Sequence, residues 1–285
     1  MNTGSVVYRQ GTLVVMREAE GWSVRDELEQ ALVADDGAVA CGAAVAAGGG
    51  SVAVVATALS ARVRGEGFHL HAGAVVVSGG LALVAGDSGA GKTTTCLALQ
   101  AWGQVKADDV CFLQRVDDDV VARPWRRPLH VGEITQAMFP SLRLLEAPLT
   151  RAGKRQARLR RSSAALKHGA EDVDDAAADA TSELDVPMTV RALVFPSIDR
   201  TPHSRTRAAT LTPTQALERL VVASAMVLWP GVPHAHSHLE VLGRLTSRPA
   251  FAVTLGHDAQ NDPSVIGQAL ATAGLALASI DGASP

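Results

Sequence analysis

Short runs of consecutive apolar residues separated by glycine-rich turns alternate along this chain with stretches of helical period, and that change of period predicts an α/β fold. The pattern is sharpest between 68 and 123. There, residues 74–77 and 81–85 are β-branched or aliphatic runs flanking Ser78-Gly79-Gly80, which predicts a hairpin. A glycine-rich loop follows, then a helix over 93–102 closed by Gly103 as a C-cap glycine, then strands over 110–113 and 120–122. Further on, residues 190–195 read as a strand, 214–228 as an amphipathic helix capped near Thr212 to Thr214, 251–255 as a strand and 263–273 as a last helix.

The first 65 residues carry weaker signals. Strands are predicted over 6–9, 13–16 and 51–56, and a helix over 23–34 with Ser23 as N-cap and Asp26 near its positive end. The expected organisation is a small N-terminal α+β subdomain (1–65) followed by a core (66–285). Residues 151–185 interrupt that core with segregated charge. Seven basic residues (Arg151, Lys154, Arg155, Arg158, Arg160, Arg161, Lys167) precede seven acidic ones, which predicts a mobile insertion or loop.

Composition narrows the function classes. With 285 residues, 47% hydrophobic and 19% charged, the chain can bury a sizeable core, which excludes wholesale disorder. A net charge of −3 argues against a protein built to coat nucleic acid or an anionic membrane, and 4% aromatic residues give no stacking platform for single strands. Three cysteines without a CxxC pair make neither a disulfide framework nor a zinc site. The opening residues lack signal-peptide character, and the longest apolar run, 220–229, is far short of the roughly 18 residues of a membrane span. A cytoplasmic protein without membrane or nucleic-acid partners is therefore expected.

The chemistry concentrates in one loop. Gly86-Asp87-Ser88-Gly89-Ala90-Gly91-Lys92-Thr93 matches GxxxxGK[ST] in full, between a predicted strand and a predicted helix. Glycines let the backbone turn its N–H groups onto a phosphate, and the helix N-terminus favours negative charge. Lys92 is expected to reach the β- and γ-phosphates of a nucleotide, Thr93 to hold Mg²⁺, and Thr94 to complete the cofactor-binding loop. Lysine occurs at only four positions in the chain, 92, 106, 154 and 167. Asp108 and Asp109 lie sixteen and seventeen residues beyond Lys92, and a helix of about ten residues extends about 15 Å before the chain returns through Gly103. One of the two carboxylates can then complete a Mg²⁺ shell while the other takes a proton from an attacking hydroxyl. His71, fifteen residues before the loop, is a candidate partner for the phosphates or the acid pair; His69 is two residues from it and shares its face if the segment is extended. Weaker candidates are Arg155 and Arg158 as phosphate-facing cations and the alternating His234, His236 and His238 as metal ligands, although the proline and glycine around these histidines predict an irregular loop.

Taken together, His71-Ala72-Gly73, GDSGAGKT at 86–93 and ADDV at 107–110 resemble the HPr kinase/phosphorylase family and its HPr-kinase-like relatives, which include kinases of lasso-peptide and other modified-peptide pathways. The resemblance is strong over 68–123 and weaker over 191–195, 211–220 and 250–255. It implies a P-loop kinase core and ATP- and Mg²⁺-dependent phosphorylation of a serine-type hydroxyl on a peptide or protein. In that frame Lys92 binds phosphate, Thr93 and the acid pair serve the metal, Asp108 or Asp109 is the base and His71 supports it. The family's glutamate-arginine-glycine segment has no clear counterpart, Glu133 being the nearest residue, so phosphorylase activity is not expected to carry over. A small-molecule hydroxyl kinase (acting on free serine, for example) and a nucleotide-binding module without transferase activity are the alternatives. The resembled family includes oligomers, so a homo-oligomer is an open expectation.

Overall fold

The computed structural model describes residues 5–10, 13–18, 21–26, 31–32, 68–126, 129–144, 154–159, 183–184, 186–224 and 235–277. Near the N-terminus, β1 (Ser5–Gln10), β2 (Leu13–Glu18), β3 (Gly21–Asp26) and β4 (Ala31–Leu32) form an antiparallel sheet in sequential order. The helix expected from Ser23 is therefore corrected to a strand. Trp22 and Val24 alternate with Ser23 and Arg25, and β3 pairs with β2 in the register Val15↔Val24 and Arg17↔Trp22. A period of two satisfied by a neighbouring strand outweighed the N-cap signal. The strand expected over 51–56 lies outside the described residues.

The rest of the described chain is mixed α/β around a mostly antiparallel sheet. Its strands are β5 (Phe68–Leu70), β6 (Ala72–Val77), β7 (Gly80–Ala85), β8 (Val105–Ala107), β9 (Cys111–Val116), β10 (Asp119–Arg126), β15 (Met188–Ile198), β16 (Arg207–Thr210) and β17 (Ala250–Leu255), with the two-residue β14 (Glu183–Leu184) beside β10. The order β8-β6-β7-β15-β17-β16 has a parallel centre, since β15 runs parallel to both β7 and β17. The start of β15 also pairs with β10, which extends the sheet through β9 to β5. A separate three-stranded sheet has the order β11-β13-β12, built from β11 (Leu129–Val131), β12 (Leu142–Leu144) and β13 (Arg155–Leu159). The basic run expected to be a mobile loop thus contributes a strand at 155–159, while 160–182 lies outside the described residues.

Helices cover both faces of the main sheet: α1 (Lys92–Ala98, continued by a 3₁₀ turn Leu99–Ala101), α2 (Glu133–Met138), α3 (Pro213–Ala223), α4 (Ala235–Leu245), α5 (Asp258–Asn261) and α6 (Ser264–Thr272). The central strands are apolar on consecutive positions because both faces are covered. Leu81, Leu83, Leu193 and Phe195 meet Leu220 of α3 and Leu242 of α4 on one side; Ala82, Val84, Ala192 and Val194 meet Leu99, Ile266 and Leu270 on the other. Thr212 caps α3 as expected. Its hydroxyl accepts from the Gln215 N–H, and the Gln215 side chain accepts from the Thr212 N–H at 3.0 Å, with Pro213 in the first turn.

The histidine-rich segment differs from expectation. Residues 235–245 are the helix α4, so His236 and His238 are separated by about 200° around its axis and cannot share a face. His236 is exposed, whereas His238 is buried and stacks on Phe68 with ring centroids 5.1 Å apart; His234 lies outside the described residues. Burial pushes the His238 pKa from 6.5 down to about 4, against an opposing hydrogen bond to the His69 backbone. The unfolded chain therefore binds a proton that the folded one refuses between those values. This contribution to stability is fully present above about pH 6.5 and is lost as pH falls through about 4. The loss is expected to total about 3 kcal/mol. Urea unfolding of wild type and His238→Phe across that window checks it: the variant should show a flatter acid slope.

Candidate functional site

The apolar strand β7 ends in the glycine-rich loop, and α1 begins at its last lysine, so residues 86–91 turn at the C-terminal edge of the parallel strands. Gly89 and Gly91 have φ of +83° and +100°, conformations that side-chain-bearing residues rarely adopt. At Gly91 a Cβ would also approach Leu255 Cδ1 to 2.7 Å, which ties the loop to the end of β17. Asp87, Ser88 and Gly89 are exposed, while Gly86, Ala90 and Thr93 are partly covered. Lys92 is 7% exposed, and its ammonium donates to the carbonyls of Gly86 and Asp87, each at 3.0 Å. Burial lowers its pKa to about 8, Asp108 pulling upward and Lys154 adding a push downward.

The acid pair reaches this loop through a strand that the sequence pattern did not predict. After the 3₁₀ turn the chain passes Gly103 and forms β8, which pairs with β6 at Ala74↔Ala107. The two aspartates follow immediately and occupy different environments. Asp108 is 3% exposed; its Oδ2 accepts from the His130 N–H at 3.0 Å, and its Oδ1 has no hydrogen-bond partner among the described residues. Asp109 is partly open, and its Oδ1 lies 2.6 Å from His71 Nε2, with side-chain exposures of 27% for the histidine and 23% for the aspartate. His71 sits between β5 and β6, and its N–H donates to the Ala223 carbonyl at the end of α3, so its backbone is held from both the sheet and a helix. Gly73 allows the close approach: a Cβ there would meet Cys96 Sγ at 2.4 Å and the Asp108 carbonyl at 3.2 Å.

The structure thus brings Lys92, Asp108, Asp109 and His71 to one edge of the sheet. Other sequence candidates separate. His69 is buried and meets Phe112 in an edge-to-face arrangement, centroids 6.2 Å apart. Arg155 is exposed, and Glu133 starts α2 on the surface. Thr94 shares a 3.0 Å hydrogen bond with Thr135, which links α1 to α2. The cysteines Cys96 and Cys111 are buried and desolvation raises both pKa values, so they are neutral thiols without nucleophilic character. Sequence reasoning missed the His130 N–H and Thr135, because each reaches the site through the small sheet or its flanks and no spacing marks them.

A magnesium ion fits this donor set. An unpartnered buried carboxylate oxygen on Asp108 and the Thr93 hydroxyl in the first turn of α1 are hard oxygens, and Asp109 adds a further carboxylate. Among the described residues no three His, Cys, Asp or Glu side chains group as a metal cage. Mg²⁺ held by one or two protein oxygens and by substrate phosphates needs no such cage.

No family model matches this sequence, and no curated protein sequence matches it. What fold and site define is a mixed α/β protein whose glycine-rich strand-loop-helix faces an aspartate pair. Among solved structures, the Hpr(Ser) kinase/phosphatase from Coxiella burnetii aligns with it at 13% identity and a TM-score of 0.30, over 72% of this chain and 88% of that chain. At that score the likeness carries no argument, and the functional reading rests on the residues themselves. Among the described residues no helix is long and apolar enough to cross a membrane.

Proposed function

We propose that this protein is an ATP- and Mg²⁺-dependent kinase that transfers the γ-phosphate to a serine-type hydroxyl of a peptide or protein. The observation that carries the reading is the 2.6 Å contact between His71 and Asp109, placed beside a buried lysine and a glycine-rich loop. The loop N–H groups and Lys92 hold the β- and γ-phosphates, Lys92 exchanging its bonds to the Gly86 and Asp87 carbonyls for phosphate oxygens. Bound Mg²⁺ supplies charge neutralisation, with Thr93 and Asp108 as the oxygens that hold it. Asp109 is the more open of the two carboxylates, so an acceptor hydroxyl arriving from solvent meets it first. It takes the hydroxyl proton as the new O–P bond forms and the bond from the γ-phosphorus to the ADP oxygen breaks. His71 orients that carboxylate and stabilises its charged form.

The test is an intact-mass assay of the full chain with ATP and Mg²⁺, offered serine-containing peptides and, separately, free serine. A gain of one phosphate on a peptide is expected. Phosphate gained only by free serine transfers the reading to a small-molecule kinase, and ATP bound without transfer reduces it to a binding module. Lys92→Met is expected to weaken ATP binding by at least about tenfold, because it removes a charge-assisted phosphate contact. Equilibrium dialysis checks this, and unchanged affinity would remove the loop from the site.

A further inference from the structure

The phosphate loop has two flanks along the sheet edge, and the proposed transfer step uses only one. On that flank Ala72 pairs with Ala85, so His71 stands beside Gly86, and β8 brings in Asp108 and Asp109 beyond β6. On the other flank β15 lies against β7 in the register Val194↔Val84, which sets Pro196 beside Gly86, and β17 follows β15. A Cβ on Gly91 would stand 3.5 Å from Ile198 Cγ1, so the end of β15 touches the loop itself. With the γ-phosphate at Asp109 and the inner phosphates on the loop, the nucleoside leaves toward the carboxyl ends of β15 and β17, the edge where open α/β sheets bind their ligands.

The chain breaks a local rule there. Thr201 to Ser204 close a β-turn, the Ser204 N–H donating to the Thr201 carbonyl at 3.1 Å, with Pro202 and His203 at its centre. Proline excludes a positive φ at its own position and His203 has φ +61°, so this is the turn type that favours glycine or asparagine where the histidine stands. Neighbouring bonds hold it in place. The His257 N–H donates to the Ser204 carbonyl at 2.9 Å, the Thr206 N–H and hydroxyl donate to Asp258 at 2.8 and 2.7 Å, and the Gly256 N–H donates to the Thr206 hydroxyl at 3.0 Å. The loop after β15 is thereby fastened to the loop after β17. It presents two exposed rings, His203 and His257, with centroids 6.1 Å apart and planes tilted by 54°. Ile198, the last residue of β15 and 46% exposed, adds an apolar side chain next to Gly91. A disfavoured backbone enforced by its surroundings points to a side chain kept for a ligand.

We infer that His203, His257 and Ile198 form the platform on which the base of a bound nucleoside triphosphate stacks. This rests on the phosphate-loop reading above. Rings and a branched aliphatic side chain match the flat face of a nucleobase, which stacks on any π-surface. The acceptor hydroxyl is a different occupant and belongs at Asp109, on the opposite flank of the loop.

The experiment compares binding of a non-hydrolysable ATP analogue and of inorganic tripolyphosphate, which has no nucleoside, each with Mg²⁺, by calorimetry on the full chain. The proteins are wild type, His203→Gly, His203→Phe and His257→Ala. Wild type is expected to bind the analogue more tightly than tripolyphosphate. His203→Gly and His257→Ala should each lose about tenfold in analogue affinity with tripolyphosphate affinity unchanged, while His203→Phe keeps a ring and retains the analogue. Thermal unfolding of His203→Gly without ligand should have a midpoint no lower than that of wild type, because glycine takes the positive φ freely. Unchanged analogue affinity in both ring-removing variants, equal losses for the two probes, or equal affinities in wild type overturns the platform and leaves the phosphate loop standing. Binding of neither probe by wild type overturns both.

Discussion

Asp109→Asn is expected to slow phosphoryl transfer by about 10²- to 10⁴-fold while changing nucleotide affinity little. Asparagine keeps the shape of the side chain and can still bond His71, but it cannot take the acceptor proton. The buried neighbour behaves differently. Asp108 is felt electrostatically by the Lys92 ammonium, is fixed through Oδ2 by the His130 N–H, and has a second oxygen without a hydrogen-bond partner among the described residues. On the proposed reading, Asp108→Asn removes a negative charge that the buried lysine faces and that Mg²⁺ would use, so it should raise the KM for Mg²⁺ and ATP as well as lower kcat. The measurement is steady-state kinetics of both variants against ATP, Mg²⁺ and peptide. If Asp108→Asn loses turnover at unchanged KM and Asp109→Asn does not, the roles of the two carboxylates are exchanged.

Gly103→Ala is expected to be among the most destabilising single substitutions in the chain. A Cβ at this position would stand 1.6 Å from the Val76 carbonyl oxygen and 3.4 Å from Val75 Cγ1. The obstacle is backbone, and it is held: the Val76 N–H donates to the Gln104 carbonyl at 2.9 Å while Val76 itself pairs within the β6-β7 hairpin. Relief requires β6 and the turn into β8 to move apart, at a cost of roughly 3 kcal/mol or more. Because Asp108 and Asp109 follow β8 directly, the same movement withdraws them from Lys92 and His71. Urea unfolding should show a markedly lower midpoint, and transfer should fall even at temperatures where the variant remains folded. The sequence places Gly103 as the C-cap glycine of the helix, a position that often takes a left-handed conformation. The structure shows otherwise: α1 ends at Ala98, a 3₁₀ turn follows, and Gly103 does not adopt a positive φ. Asparagine, tolerated at a left-handed cap, should therefore fail here as alanine does.

Local signals were read well where neighbours in sequence suffice to satisfy them. The hairpin across Ser78 and Gly79, the strand-loop-helix of the glycine-rich segment and the Thr212 capping box all close within a few residues. Errors gathered where the partner is distant. Trp22 to Asp26 became a strand because β2 supplied a ladder, and the histidine-rich segment became a helix because Val241, Leu242 and Leu245 found a sheet to cover. Strands β8 and β16 are three and four residues long, too short to show a period, and exist through pairing with β6 and β17.

By itself the sequence determined the glycine-rich strand-loop-helix and the candidates Lys92, Asp108, Asp109 and His71, because glycine, lysine and threonine at fixed spacing favour a tight loop at a strand-to-helix turn. Only the tertiary structure decided how those candidates divide. It buried Asp108 under the His130 N–H and left Asp109 open against His71 across 38 residues. Burial and contact between residues far apart in the chain depend on how sheets and helices close over one another, and no pattern of neighbours encodes that.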